Sequence, residues 1–181
     1  MPCLPFDAMP DTARLWIFPA ARPLSATEGE RVLAETDAFI AGWAAHGVPL
    51  TAARDLRHER FLMVAADEAA AGVSGCSIDA LVRRMDRLGS ALGVDLVEHG
   101  PVAYRDGGEI RHVPRHRFAA LAASGSVTLH TIVFDNTITS VGDVRSGRWE
   151  RPAADAWHGR AFFGIRSEEA ALTLSPLGPF S

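Results

Sequence analysis

The stretch Ser74-Gly75-Cys76-Ser77-Ile78-Asp79 carries the residue types in this chain that are best suited to chemistry. It lies between an apolar run and an amphipathic pattern, which predicts a strand, a turn and then a helix that begins near Ser77. Cys76 would be the N-cap, where free N–H groups and the positive end of the helix dipole favour a thiolate. The candidate binding residues around this candidate nucleophile are Ser74, Gly75, Ser77 and Asp79.

The same stretch has a second interpretation, which its small residues favour. The residues make a simple strand-to-helix turn, and Cys76 is a small buried apolar side chain. A nucleophilic cysteine also needs a base. The two candidates are His46, at the expected end of the first helix, and His158 in a later Trp-His-Gly-Arg segment. We favour an ordinary polar helix-end role for both histidines.

Three arginines form a second set of candidate binding residues. Arg54, Arg57 and Arg60 approach or cross a predicted hairpin turn, and converging guanidinium groups suit a phosphate or a carboxylate. Asp55 and Glu59 alternate with these arginines, which favours a solvated face whose charges pair internally.

Two further patterns lack the residues that they need. His112 and His116 have a spacing seen among metal ligands, but Pro114 separates them and no cluster completes the set. Asp135 follows an apolar run, as in the aspartate loop of phosphoryl-transfer hydrolases, but Thr137 stands where the second acid is needed. We predict no metal site and no cofactor, and a strand-ending turn at Asp135.

Composition limits the functional class. The chain has 181 residues, of which 48% are hydrophobic and 22% charged, which is typical of one soluble globular domain. The net charge of −4 argues against a dedicated nucleic-acid binder. All 18 basic residues are arginine, so neither a P-loop lysine nor a side-chain Schiff base is available. The two cysteines indicate no disulfide framework.

The start of the chain has no basic segment followed by an apolar run, so we expect no secretory signal. No apolar stretch approaches the roughly 20 residues that span a bilayer. We therefore expect a cytoplasmic protein without a membrane partner.

Hydrophobic periodicity predicts the elements that position these residues. A strand over 14–18 leads to a helix that Ser25 and Glu28 begin with a capping box and that Gly47 ends as a left-handed cap. The next elements are strands over 50–57 and 61–66, a helix from Ser77 to Gly93, on which Val82 faces inward, and a strand over 94–97.

This order predicts an α+β fold with a ferredoxin-like split βαβ core. An additional C-terminal hairpin, strand and helix layer follows. Its parts are a hairpin about Asp106-Gly107-Gly108, a helix from Pro114 to Ala123, a strand over 127–134 and a helix from Pro152 to Phe163. We predict one domain over 1–163, with a division near residue 100 as the alternative, and a loose tail over 164–181.

Several short motifs carry a family resemblance. In order, they are Ala13-Arg14-Leu15-Trp16-Ile17, Trp43-x-x-His46-Gly47, Asp67-Glu68, the Ser74–Asp79 stretch, Phe134-Asp135-Asn136, and Trp149-x-x-Pro152 with Trp157. With these motifs the chain is similar to a group of short bacterial proteins of unknown function that often carry the label "ABC transporter ATPase". The resemblance implies no activity and no site residues. Without a lysine, P-loop ATP hydrolysis is excluded.

Two functional hypotheses follow from the sequence. The first is a non-catalytic binding or interaction protein for an unknown protein or a small anionic ligand, and it predicts a buried, replaceable Cys76. The second is a thiol-dependent enzyme or redox-responsive protein, with Cys76 as nucleophile and His46 or His158 as base. We favour the first, because the second lacks an assured base and pocket. Edge strands would also allow a homodimer.

Overall fold

The computed structural model describes residues 4–69, 72–98 and 100–165. They form two compact units, and each unit uses two separate stretches of chain. Unit 1 lies within Met1–His99 and Asn136–Ser146, and unit 2 lies within Gly100–Asp135 and Gly147–Ser181. Both units contain helices and strands, which confirms the α+β class. The single domain over 1–163 stays a prediction, and the tail lies outside the described residues from residue 166 onward.

The helices and strands alternate along the chain. The first half comprises a 3₁₀ turn (Phe6–Ala8), β1 (Arg14–Pro19), α1 (Ala26–Ala41), β2 (Ala44–Ala45), β3 (Val48–Pro49), β4 (Thr51–Arg57), β5 (Phe61–Asp67) and α2 (Gly75–Leu92). The second half comprises β6 (Val102–Asp106), β7 (Glu109–Val113), α3 (Arg115–Ala123), β8 (Ile132–Phe134), α4 (Val141–Arg145), β9 (Glu150–Pro152), a 3₁₀ turn (Ala153–Asp155) and α5 (Trp157–Phe163).

A three-stranded antiparallel sheet in the order β1-β5-β4 organises unit 1. The central strand β5 is buried from Phe61 to Ala66, as its continuous apolar run predicts. The outer edge of β1 is also occupied, because the Leu15 N–H donates to the Thr139 carbonyl at 2.9 Å and Arg14 bridges Ser140. A late segment of the chain therefore covers the edge of the first strand.

The strand predicted over 94–97 is wrong. Asp95 Oδ1 accepts the N–H groups of Val97 at 2.8 Å and Glu98 at 2.9 Å, which bends this segment into a turn. A fourth strand in a ferredoxin-like core would pair with the outer edge of β1, and Thr139 already occupies that edge. The finer expectation of a ferredoxin-like core stays a prediction.

The helix ends differ partly from the sequence predictions. The capping box of Ser25 and Glu28 is confirmed at the start of α1. However, α1 ends at Ala41 rather than at Gly47. Helix α2 begins at Gly75, with Ser74 as the N-cap that accepts the Ser77 N–H, so Cys76 is not the cap. The left-handed cap predicted after α2 is confirmed, with φ +63° at Gly93.

The core of unit 1 packs both long helices against the sheet. Trp43 contacts Trp16 edge to face, with 5.7 Å between ring centroids. The inward prediction for Val82 is wrong, since it is 39% exposed. This core includes Phe18, Trp43, Leu62, Leu81, Met85 and Leu96.

Unit 2 contains a four-stranded antiparallel sheet in the order β7-β6-β8-β9. The β6–β7 hairpin and the helix to Ala123 match the sequence predictions, whereas β8 has only three residues of the strand predicted over 127–134. Phe118 is fully buried in its core, 5.3 Å from Tyr104 by ring centroids. Within the described residues, no helix is long and apolar enough to cross a membrane.

Candidate functional site

A groove of about 750 Å³ opens on unit 1 between the end of α1, the β2–β3 hairpin and one face of α2. Four lining residues, Cys76, Ala80, Arg84 and Arg87, come from one face of α2, at spacings of four, four and three. The N-terminal end of α2 therefore opens into the same depression as two arginines further along the helix.

The wall opposite α2 is aromatic. Phe39, from the last turn of α1, lies 5.4 Å from Trp43 between ring centroids, and both side chains line the groove. Trp43 is 4% exposed. A hydrogen bond orients its indole ring, because the Nε1–H donates to the Ser77 carbonyl at 3.1 Å. The groove thus has an apolar surface that does not depend on a mobile side chain.

The first turn of α2 supplies N–H groups to the groove. Ser74 Oγ accepts the Ser77 N–H at 3.2 Å, and the Ser74 carbonyl accepts the Ile78 N–H at 3.0 Å. No described residue accepts the N–H groups of Gly75 and Cys76. This turn contains no acidic residue, so no side chain of its own neutralises the positive end of the helix dipole.

Ser77 lines the groove and also has a structural role, while its predicted binding role stays a prediction. Its side chain is 5% exposed, and its Oγ–H donates to the Ala44 carbonyl at 3.0 Å while lying 2.7 Å from Ser74 Oγ. These bonds attach strand β2 to the start of α2. Asp79 is exposed and does not line the groove.

Cys76 and His46 both line this groove and both are exposed. The interpretation of Cys76 as a buried apolar residue is therefore wrong. His46 is not at a helix end: it has φ +51° in the β2–β3 turn, and Gly47 follows it with φ +79°. The turn, which the sequence did not predict, carries the imidazole to the groove.

His158 belongs to unit 2 and does not line the groove. It is 1% exposed, and burial lowers its pKa to about 4, while the charge of Asp135 acts in the opposite direction. Arg115 and Arg151 lower this pKa further. No described residue hydrogen bonds to its Nδ1. A residue held neutral in this way is not the exposed helix-end histidine that the sequence favoured.

Asp135 follows the end of β8, where the sequence predicts a strand-ending turn, and its side chain is buried. It is 3% exposed, and Arg151 donates to its Oδ2 at 2.8 Å. Its own N–H donates to the Trp149 carbonyl at 2.6 Å. The end of β8 thus places a partly buried ion pair where its charges act on His158, a cluster that local sequence patterns do not indicate.

The three predicted binding arginines do not act as one group. Arg54 forms a two-bond ion pair with Asp37 of α1 at 2.9 and 2.7 Å. Arg57 donates to Asp55 at 2.8 Å, as the interleaved charges predict. Arg60 is 6% exposed, and burial lowers its pKa. The guanidinium groups of this set therefore have three different environments.

Sequence reasoning missed Phe39, Arg84 and Arg87 as groove residues. The periodic signal was present, because positions 76, 80, 84 and 87 share a helical face. When α2 is considered alone, its sequence indicates that this face is exposed to solvent. It becomes part of a groove only because α1 and the β2–β3 hairpin stand beside it.

Comparison of the chain with family models, curated proteins and solved structures gives no match. The resemblance to the proteins labelled "ABC transporter ATPase" therefore stays a prediction. Among the described residues, no three His, Cys, Asp or Glu side chains form a group that could hold a metal ion.

Proposed function

We propose that the protein binds a small anionic ligand with an apolar portion in the groove of unit 1. The observation that carries the proposal is the face of α2 formed by Cys76, Ala80, Arg84 and Arg87, opposite Phe39. It combines a helix N-terminus, apolar surface and guanidinium groups in one depression. A carboxylate or phosphate ester with an aromatic or aliphatic body matches these three features.

The charges favour a ligand that reaches along α2. Arg84 forms an ion pair with Glu35, so its charge is partly neutralised. Arg87 is exposed, its Nε donates only to the Arg83 carbonyl at 3.3 Å, and no described carboxylate pairs with it. Arg87 is thus the cation most available to an anionic group, and the free N–H groups at the helix start offer a second anchor.

The size of the groove agrees with a small organic ligand. About 750 Å³ falls within the range of roughly 300–1,000 Å³ typical of small-molecule pockets. Cys76 and Arg87 are separated by about 16 Å along the helix axis, at about 1.5 Å per residue. Arginine side chains on a helix lean toward its N-terminus, which shortens the span that a ligand needs to bridge.

Binding can be tested by titrating the protein with a panel of aromatic and aliphatic carboxylates and phosphate monoesters. The NMR chemical shift of the Trp43 indole N–H monitors binding. We expect Arg87→Ser to weaken the best ligand by about tenfold, since a charge-assisted hydrogen bond contributes about 1.5–3 kcal/mol. Arg83→Ser is the matched control, because Arg83 is an exposed arginine of the same helix that does not line the groove. Equal losses in the two variants, or no ligand at millimolar concentration, would contradict the proposal.

A second candidate function is thiol chemistry at Cys76. The observation that favours it is that the exposed Cys76 and His46 line the same groove. In this hypothesis His46 accepts the thiol proton, and the N-terminal end of α2 stabilises the thiolate. The ligand of the first proposal would then be a substrate, held by the same aromatic wall.

The broader setting of the proposal is a cytoplasmic protein with a ferredoxin-like unit 1. In support of that fold, α1 and the short β2–β3 hairpin connect β1 to β4, and β5 lies between these two strands and antiparallel to both. This strand order supports the proposal of a split βαβ unit. A homodimer formed through a sheet edge stays a prediction.

A further inference from the structure

Arg60 has a largely buried side chain whose guanidinium group reaches solvent without an anionic partner. It lies at the end of the β4–β5 turn and is only 6% exposed. No described residue forms a salt bridge, a hydrogen bond or a ring contact with its guanidinium group. The other buried charged residue of the described chain, Asp135, does have a cation beside it, Arg151.

The backbone holds Arg60 firmly in this position. Its N–H donates to the Arg57 carbonyl at 3.0 Å, and its carbonyl accepts the Ala20 N–H at 2.7 Å. The next residue, Phe61, is fully buried, and the Leu24 N–H donates to the preceding carbonyl of Glu59 at 2.8 Å. The loop over 20–24 and the hairpin turn therefore form one rigid support.

The guanidinium nitrogens of Arg60 reach solvent, but burial of the rest of the side chain removes part of their hydration. No ion pair compensates for that loss, which destabilises the folded chain. Arginine also presents five N–H donors in a planar fork that matches the oxygens of phosphate and carboxylate groups. A residue held in this state by a rigid support is therefore suited to an external anion.

We propose that Arg60 is the centre of an anion site, separate from the groove, that binds the oxygens of a phosphate or carboxylate group. The site lies between the β4–β5 turn and the loop before α1. It does not depend on the groove, since Arg60 does not line it. The anion would supply the missing counter-charge and stabilise unit 1 when bound.

The test measures thermal unfolding of the full chain in chloride, inorganic phosphate and acetate at matched ionic strength. We expect phosphate or acetate to raise the Tm of the wild type by several degrees relative to chloride. Arg60→Met should lose more than half of that rise and should be at least as stable as the wild type in chloride. Arg31→Met, which removes an exposed arginine of α1, is the matched control for net charge.

A direct measurement uses the Nε–H NMR signal of Arg60 in the wild type. The signal is assigned by its absence from Arg60→Met, or from Arg60→Lys if Arg60→Met does not fold. This signal should shift and saturate with whichever anion raises the Tm. The inference is overturned if the signal does not move, if Arg60→Met keeps the anion response, or if the response disappears in Arg87→Ser instead. The last result would assign the anion to the groove, so the two proposals can fail independently.

Discussion

The imidazole of His158 stacks on the indole of Trp157, with 3.9 Å between ring centroids and 27° between planes. Phe118 and Phe162 lie 6.2 Å from the same imidazole, so aromatic rings surround it on several sides. Apolar surroundings disfavour the charged form of a histidine, which is why its pKa falls to about 4. His158 therefore makes unit 2 sensitive to acid, whatever its role in function.

We expect the free energy of unfolding of unit 2 to fall as the pH drops from about 6.5 to about 4. The folded pKa of His158 lies below its ordinary value of 6.5, so the unfolded chain binds the proton more readily and stability is complete only above that range. The difference corresponds to about 3 kcal/mol, at about 1.4 kcal/mol per pKa unit. Urea unfolding at pH 7, 5.5 and 4 measures it.

The matched variants for this prediction are His158→Gln and His116→Gln. His158→Gln should be less stable at pH 7 but should respond much less to pH, whereas His116→Gln, at an exposed position of α3, should behave like the wild type. An unchanged pH response in His158→Gln would show that another group causes it.

Glu28 should cause a separate loss of stability at lower pH. The hydrogen bonds from Arg22 are the main reason that its pKa is lowered to about 2, and the Ser25 backbone N–H adds to them. Because the folded pKa lies below the ordinary value of 4.5, this contribution is present above that value and is lost as the pH falls toward 2. Glu28→Gln should flatten the pH dependence of unit 1 between 4.5 and 2, whereas Glu30→Gln on the same helix should not.

Alkylation of Cys76 tests the second candidate function. In a Cys3→Ser background we expect iodoacetamide to modify the native protein readily, since Cys76 is exposed. If His46 takes the thiol proton, His46→Gln lowers the rate at pH 7 by about tenfold or more. His58→Gln is the matched control, because His58 is also exposed, with φ +53° in another hairpin turn. Equal rates in both variants would leave Cys76 as an accessible thiol without a base.

Gly89 should be sensitive to the smallest substitution. A Cβ added there would lie 2.6 Å from the Val94 carbonyl oxygen, so Gly89→Ala forces the chain after α2 to move. We expect a loss of about 1–3 kcal/mol in the free energy of unfolding. Gly75→Ala is the control on the same helix, since its added Cβ meets nothing within 4 Å. A neutral Gly89→Ala would mean that this turn adapts freely.

Local sequence patterns predicted the structural features that interactions between residues close in sequence determine. The capping box of Ser25 and Glu28 follows from two residues three positions apart. The β4–β5 hairpin follows from an alternating pattern, a polar turn and an apolar run. The end of α1 could not be predicted in this way. The chain leaves the helix at Gly42, and the next residue, Trp43, then bonds to Ser77, which lies far along the sequence.

The site shows the same division. The position of Cys76 near a helix start could be predicted from Ser74-Gly75 and the apolar pattern that follows. The groove could not, because its second wall comes from α1 and its imidazole from the β2–β3 turn. Burial likewise overrides pattern at Asp135 and Arg60, which look like surface residues in the sequence and are almost inaccessible in the fold.

The segment that covers the edge of β1 has a consequence for how the protein is made. Leu15 meets Thr139 only after about 120 further residues have left the ribosome, a long-range contact that forms slowly. Arg145, which donates to the Met9 carbonyl at 2.7 Å and pairs with Asp11, arrives later still. A chain released at residue 135 would contain every residue of the groove and still expose the outer edge of β1, which invites pairing with other unfinished chains.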